Sequence, residues 1–233
     1  MAAVSDTTKT WQQREYILLC TLLAWCVVLV GFRVGRTGSD QFLFLIWNLF
    51  LACVPAFASR LLRAAHHRGA PDGLQLGLAA LWLLFLPNAP YILTDMVHLQ
   101  PGTGGLYWYD LGLLLSCAGT GLLLGYSSLL DVQKIVDERF GPKLAWSVVI
   151  STLVLSGYGV YLGRVMRWNS WDVIVNPRGL FGCIADCLLN PGLHIKTYAV
   201  SGLFGIGLLL GYAALRSMIS WRGRSLPIEQ SPG

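Results

Sequence analysis

Charged residues are scarce in this chain. Asp, Glu, Lys and Arg together make up 12% of its 233 residues, whereas soluble domains carry about 25%. Hydrophobic residues make up 55%, and the mean hydropathy is +0.57. This shortage of charge excludes an ordinary soluble globular domain and indicates a protein that resides in a membrane.

The motifs of several common enzyme classes are also missing. The sequence contains no nucleophile elbow, no phosphate-binding glycine loop, no HExxH pair and no dinucleotide-binding fingerprint. Its six cysteines are scattered, without a CxxC pair or a metal-ligand spacing to histidine. No nucleic-acid-binding module is present either. We therefore expect no metal, no cofactor and no nucleic-acid partner, and we expect the cysteines to be small buried hydrophobic residues.

Six apolar segments have about 20 residues each, the length that crosses the hydrocarbon core of a bilayer as a helix. They predict an all-α polytopic membrane protein with one integral membrane domain, residues 15–219, and cytoplasmic tails at 1–14 and 220–233. We interpret the first segment as an uncleaved helix, because no small-residue cleavage site follows it. The segments are 15–33, 41–59, 74–94, 106–130, 144–163 and 198–219.

The distribution of lysine and arginine predicts how the helices are oriented. Eleven of the 17 fall on the side of the two termini, and six fall on the other side. Because the side richer in Lys and Arg faces the cytoplasm, both termini are expected to be cytoplasmic. No Lys or Arg occurs between Arg68 and Lys134, so the loop after the third helix is free of them. We therefore attribute the net charge of +5 to topology.

The third apolar segment ends in the sequence LPNAPYILTDMVHL, residues 86–99. Pro87 and Pro90 lack backbone donors and disfavour helix in the residues that precede them. We therefore expect this helix to kink or break. Broken helices at membrane depth line a protein-enclosed or water-filled cavity, because lipid cannot satisfy the freed backbone groups.

Two other sequence patterns predict how helices pack against one another and against the membrane surface. Glycine pairs four residues apart, at 121–125, 159–163 and 207–211, predict close helix approach on the fourth, fifth and sixth helices. In the last loop, 168–196, apolar side chains recur at helical spacing between two Asn-Pro pairs. This spacing predicts a short amphipathic helix on the outer membrane surface.

Polar and aromatic residues gather at the outer ends of the second to fifth helices. Polar groups at membrane depth are costly unless they are paired, so their clustering indicates a pocket. We expect this pocket to bind a lipid headgroup or a small anion in addition to the surrounding lipid bilayer. The candidate ligand-binding residues are Asn48, Asn88, Asp95, His98, Asp110, Arg164, Arg167, Trp168, Trp171 and Asp172.

Arg164 and Arg167 are three positions apart, so they share one side if the fifth helix continues through both. Three interpretations remain open. The side chains extend to lipid headgroups beside interfacial tryptophans, they form ion pairs with Asp95 or Asp172, or they bind the phosphate or carboxylate of a ligand through bidentate hydrogen bonds.

Asp95 and His98 are also three positions apart. A carboxylate can orient a histidine as a general base, and the two can share a metal. The simpler interpretation is that Thr94 or Asp95 caps a helix and that Asp110 caps the fourth helix. An enzyme acting on a lipid-linked substrate, with Asp95 and His98 as its catalytic candidates, is therefore the first alternative function. A small transporter or channel subunit is the second.

Three strings together carry a family resemblance: FLFLIWNLFLACVP (42–55), LWLLFLPNAPYILTD (81–95) and YLGRVMRWNSWD (161–172). They resemble the uncharacterised bacterial integral membrane family known as domain of unknown function 1361. The resemblance extends over residues 15–215 and implies a multi-pass protein of the bacterial inner membrane, without an assigned activity. The positions that match the motifs of the family coincide with the candidate pocket residues.

Overall fold

The structure, a computed structural model, describes residues 2–99 and 105–224. Within these ranges the chain forms helices and no strands, as the all-α prediction required. A short 3₁₀ helix, Ile92–His98, follows the fourth α-helix. The α-helices are α1 (Ala2–Thr37), α2 (Phe44–His67), α3 (Asp72–Phe85), α4 (Asn88–Tyr91), α5 (Tyr107–Phe140), α6 (Pro142–Arg164), α7 (Asp172–Val175), α8 (Pro177–Leu189) and α9 (Ile195–Arg224).

Six helical segments are long and apolar enough to cross a membrane, which confirms the predicted multi-pass architecture. α1, α2, α5, α6 and α9 each supply one of them, and α3, α4 and the 3₁₀ helix together supply the sixth. Helix α1 begins inside the predicted N-terminal tail, and α9 extends into the predicted C-terminal tail. Residues 1 and 225–233 of those tails lie outside the described ranges.

Helix α5 extends ten residues beyond the predicted end of the fourth segment at residue 130. The additional turns are polar and are held to neighbouring helices by ion pairs. Asp131 accepts a hydrogen bond from Arg63 at 2.7 Å, and Arg139 donates to Asp72 at 2.9 Å. Hydropathy alone identifies only the part of a helix that lies in lipid, so it missed this extension.

The predicted break in the third segment is present. Helix α3 ends at Phe85, and the chain restarts as α4 and then tightens into the 3₁₀ helix. The break leaves carbonyl groups at the end of α3 without partners in the helix. The side chain of Asn88 donates to the carbonyl of Phe85 at 2.9 Å, and Ser170 donates to the carbonyl of Leu84 at 3.2 Å. Two polar side chains therefore stabilise the broken end.

Glycines of α5 and α6 allow the broken segment to lie between those helices. A Cβ atom at Gly121 would lie 2.7 Å from the carbonyl oxygen of Ala89, and one at Gly159 would lie 2.7 Å from Pro87. The close packing predicted from two of the glycine pairs is therefore observed. At the third pair, a Cβ atom at Gly211 would lie 2.5 Å from the hydroxyl of Tyr126 in α5, whereas one at Gly207 would meet nothing within 4 Å among the described residues, so only one glycine of that pair makes a close approach.

The amphipathic helix predicted in the last loop is α8, Pro177–Leu189. The side chain of Asn176 caps its first turn by accepting from the backbone N–H of Gly179 at 3.1 Å. At its other end, Asp186 accepts from Asn190 at 2.7 Å and lies 2.9 Å from the ring of His194. The hydrogen bonds from Asn190 and His194 to this carboxylate lower the pKa of Asp186.

Candidate functional site

A buried carboxylate lies at the centre of the predicted cluster. Asp95 is 1% exposed and forms an ion pair with Arg164 of α6. Asn48 of α2 donates to the same carboxylate at 2.8 Å, while the Nε of Arg164 donates to the hydroxyl of Thr94 at 2.7 Å. The ring of Tyr91 lies 4.6 Å from the guanidinium carbon of Arg164. The ion pair between Arg164 and Asp95, one of the three interpretations from sequence, is therefore observed.

This network joins three separate segments, namely α2, the 3₁₀ helix and α6. The predicted capping role of Thr94 or Asp95 is wrong, because both residues lie inside the 3₁₀ helix and neither caps its start. The hydroxyl of Thr94 instead donates back to the carbonyl of Tyr91 at 2.6 Å. Since Asp95 already neutralises Arg164, a guest anion would have to displace an internal partner to bind there.

His98 is not oriented by the Asp95 carboxylate. Its Nδ1 lies 3.1 Å from the backbone carbonyl of Asp95, and its ring packs 4.8 Å from the ring of Phe44. The hydrogen-bonded pair that general-base chemistry would need is therefore not formed. Within residues 2–99 and 105–224, no group of three or more His, Cys, Asp or Glu side chains lies close enough together to hold a metal ion.

Asp110 takes no part in the hydrogen bonds of Asp95 among the described residues and pairs with a residue that the sequence did not single out. The Nε of Arg33 in α1 donates to Asp110 at 2.6 Å, and a second guanidinium nitrogen donates at 3.1 Å. Both side chains are at most 5% exposed. The predicted capping of the fourth helix by Asp110 is wrong, because that side chain makes no capping hydrogen bond. The buried ion pair between Arg33 and Asp110 instead links α1 to α5.

Arg167 and Asp172 lie beyond the end of α6. That helix ends at Arg164, so the condition under which both arginines would share one helical side is not met. The backbone of Arg167 adopts a left-handed conformation with φ of 60°, and its side chain is exposed. Asp172 begins α7, and its carboxylate accepts from the backbone N–H of Asn169 at 2.6 Å. This hydrogen bond stabilises the turn between the two helices.

Beside the Asp95 network lies a cavity of about 470 Å³. Its walls come from α2, α3, α4, α6 and the segment 168–184. Four of the ten candidate residues line this cavity. The six candidates that do not line it are Asp95, His98, Asp110, Arg164, Arg167 and Asp172. The lining is mostly apolar and aromatic, and none of its described residues is charged. The four candidates that line it are Asn48, Asn88, Trp168 and Trp171.

Two asparagines line the cavity, Asn48 and Asn88, and each uses its amide nitrogen within the protein. The amide nitrogen of Asn48 must face Asp95, because an ionised carboxylate only accepts hydrogen bonds. The amide nitrogen of Asn88 must likewise face the carbonyl of Phe85, and it also donates to Ser170 at 2.9 Å. Both amide oxygens are therefore left without a partner among the described residues, and neither is sealed inside the protein.

Sequence reasoning missed the apolar walls of this cavity. Leu83, Leu155, Leu162 and Phe181 line it, yet their residue types are the same as those that face lipid elsewhere. The sequence identified the aromatic residues of the cavity more completely than its apolar residues, because Trp47 was part of the matched family motif. The ring centroids of Trp47 and Trp171 are 6.4 Å apart, so these residues join α2 to the turn before α7.

Comparisons with known proteins agree with the resemblance found in the sequence. No curated protein and no solved structure matches this chain. A family model described as "Protein of unknown function (DUF1361)" matches residues 47–211, which span all the cavity-lining residues. The chain is a multi-pass membrane protein that belongs to this family.

Proposed function

We propose that this protein binds a single amphipathic lipid in the cavity between α2, α3, α4, α6 and the segment 168–184. The observation that carries the proposal is the combination of an apolar and aromatic wall with two asparagines whose amide oxygens have no partner among the described residues. A volume of about 470 Å³ falls in the range of sites for small organic ligands. It is large enough for a lipid headgroup and the first part of its chains.

The uncharged lining supports a lipid over a small free anion. An anion bound in this space would lose its hydration and gain no opposite charge from the lining, which is costly. Arg164 does not offset that cost, because Asp95 and Thr94 already accept its hydrogen bonds. Leu162 and Phe181 instead offer apolar surface to the chains of a lipid.

The polar side of the cavity favours a headgroup that donates hydrogen bonds. The amide oxygens of Asn48 and Asn88 can only accept. A hydroxyl or ammonium group in the headgroup would supply the missing donors, whereas a group with acceptors alone would leave them unsatisfied. The proposed ligand is therefore a lipid whose headgroup carries hydroxyl or amine groups.

Filling the cavity should remove the bound lipid. We expect the substitution Leu162→Trp to lower the amount of lipid that co-purifies with the protein about tenfold, because a 1.4 kcal/mol loss of binding free energy suffices. The lipid is measured by extraction and mass spectrometry, normalised to protein. The matched control is Leu210→Trp on α9, where the side chain is 65% exposed and outside the cavity. Equal lipid content in the two variants would rule out the cavity as the binding site.

We further propose that the cavity opens towards the extracytoplasmic face, as the lysine and arginine distribution predicts. Cysteine labelling in intact bacterial cells tests this with the full-length protein. A membrane-impermeant maleimide should label the variant Leu193→Cys, in the turn that joins the cavity-lining helix α8 to α9, above the background of the native cysteines. It should not add label to Leu74→Cys at the opposite end of the bundle. The reverse pattern would place the cavity on the cytoplasmic side.

A further inference from the structure

The two arginines near the cavity differ in what they contact. Arg164 is bound by Asp95 and Thr94. The guanidinium of Arg167 is exposed and makes no hydrogen bond or ion pair with any residue in the described ranges. Its nearest acid along the chain, Asp172, accepts instead from the backbone of Asn169. Among the residues that the structure describes, Arg167 is therefore a cation without a counter-charge, just beyond the end of α6.

The backbone places Arg167 directly beside the cavity. The next four residues, 168–171, all line it. Consecutive Cα atoms are about 3.8 Å apart, so the backbone of Arg167 lies one residue from the cavity lining, although its own side chain is exposed and does not line the cavity. The backbone N–H of Trp168 donates to the carbonyl of Leu162 at 3.0 Å, which holds this turn against the end of α6.

The left-handed conformation of Arg167 is unfavourable for its residue type. With φ of 60°, the position suits glycine, which commonly ends helices in this way, whereas a side chain is crowded by the backbone there. Residues held in such conformations are concentrated at ligand sites, where the strain is retained because the side chain is needed. A glycine at position 167 would adopt this backbone conformation at a lower cost in free energy, but it would place no positive charge beside the cavity.

We infer that Arg167 binds a phosphate group of the cavity ligand, so that the ligand is a phospholipid. This inference rests on the proposed lipid-binding function. A guanidinium group binds phosphate oxygens through paired, charge-assisted hydrogen bonds. The phosphate would lie at Arg167, the hydroxyl or amine groups of the headgroup at Asn48 and Asn88, and the acyl chains along the apolar wall.

Lipid binding to the purified full-length protein tests this inference. Phosphatidylglycerol is compared with a neutral monoglucosyl diacylglycerol that has the same acyl chains and keeps headgroup hydroxyls but has no phosphate. We expect the wild-type protein to bind phosphatidylglycerol about tenfold more tightly, the effect of one well-formed charged contact. The variant Arg167→Gly should lose this preference and still bind the neutral glycolipid. The variant Arg36→Gln, which removes an exposed arginine at the same end of the bundle, should keep the preference.

Thermal stability separates a ligand contact from a structural role. In the absence of added lipid, Arg167→Gly should melt about 2–4 °C higher than the wild-type protein, because glycine adopts the left-handed conformation freely. Arg167→Gln should lose the lipid preference without this gain, since glutamine keeps the unfavourable backbone. If Arg167→Gly melts at a lower temperature than wild type, the arginine stabilises the fold and the inference is wrong.

The remaining outcomes are also decisive. If Arg167→Gly keeps the preference for phosphatidylglycerol, Arg167 does not bind the phosphate, although lipid binding itself still stands. If inorganic phosphate displaces phosphatidylglycerol at equal concentration, the bound group is a free anion and the phospholipid assignment fails. If neither lipid binds saturably, the proposed lipid-binding function fails as well.

Discussion

The substitution Arg33→Met should destabilise the protein by about 3–5 kcal/mol, because it leaves the buried carboxylate of Asp110 without its counter-charge. Both side chains are at most 5% exposed, and two guanidinium nitrogens donate to the carboxylate at 2.6 and 3.1 Å. The effect is measured as the free energy of unfolding of the detergent-solubilised protein in sodium dodecyl sulfate titrations. A loss of this size would separate α1 from α5 before the rest of the bundle unfolds.

Two comparisons show whether the buried charge causes that loss. The double variant Arg33→Met with Asp110→Leu removes both charges and should recover most of the stability, since an apolar pair can replace a buried ion pair. The variant Arg139→Ala breaks the pair with Asp72, whose side chain is 78% exposed, and should cost less than about 1 kcal/mol. Equal losses from Arg33→Met and Arg139→Ala would mean that burial of the first pair has no energetic consequence.

The second large effect is expected at the contact between α6 and α9. A Cβ atom at Gly157 would lie 2.6 Å from the backbone nitrogen of Gly205 and would also contact the carbonyl of Ser201. Backbone atoms cannot move aside as a flexible side chain can. Gly157→Ala should therefore separate the two helices and destabilise the protein by about 3 kcal/mol, the upper range for overpacking. The measurement is again the free energy of unfolding in detergent.

Gly202→Ala is the matched control for this prediction. Gly202 belongs to α9, yet a Cβ atom there would meet nothing within 4 Å. Its replacement should not lower the free energy of unfolding and should raise it by up to about 1 kcal/mol, because alanine is the better helix former. If the two variants unfold alike, the loss at Gly157 does not come from the close approach of α6 and α9.

The elements of this fold could be predicted well from the sequence. Hydrophobic length identified all six spans, and Pro87 and Pro90 located the break in the third one. Asn-Pro pairs marked both ends of α8. These features are encoded locally, because proline geometry and the width of a bilayer act on consecutive residues. Polar extensions such as the last ten residues of α5 were missed for the same reason, since they depend on partners in other helices.

The candidate site was predicted only in part. The sequence grouped Asp95, Arg164 and Asp110, and the structure brings the first two together. It pairs Asp110 instead with Arg33, a residue 77 positions away along the chain. Residue spacing reports which side chains share a face of one helix, but it does not report which helices are neighbours.

The sequence by itself determined that this is a six-span membrane protein with a broken third helix and polar residues near one end. Only the tertiary structure decided which charges neutralise one another and which remain free. Arg164 is bound by an internal carboxylate, whereas Arg167 pairs with no carboxylate of residues 2–99 and 105–224, although the two arginines are three residues apart. The physical reason is that ion pairing depends on distances between helices, and those distances are set by packing at residues such as Gly121 and Gly159.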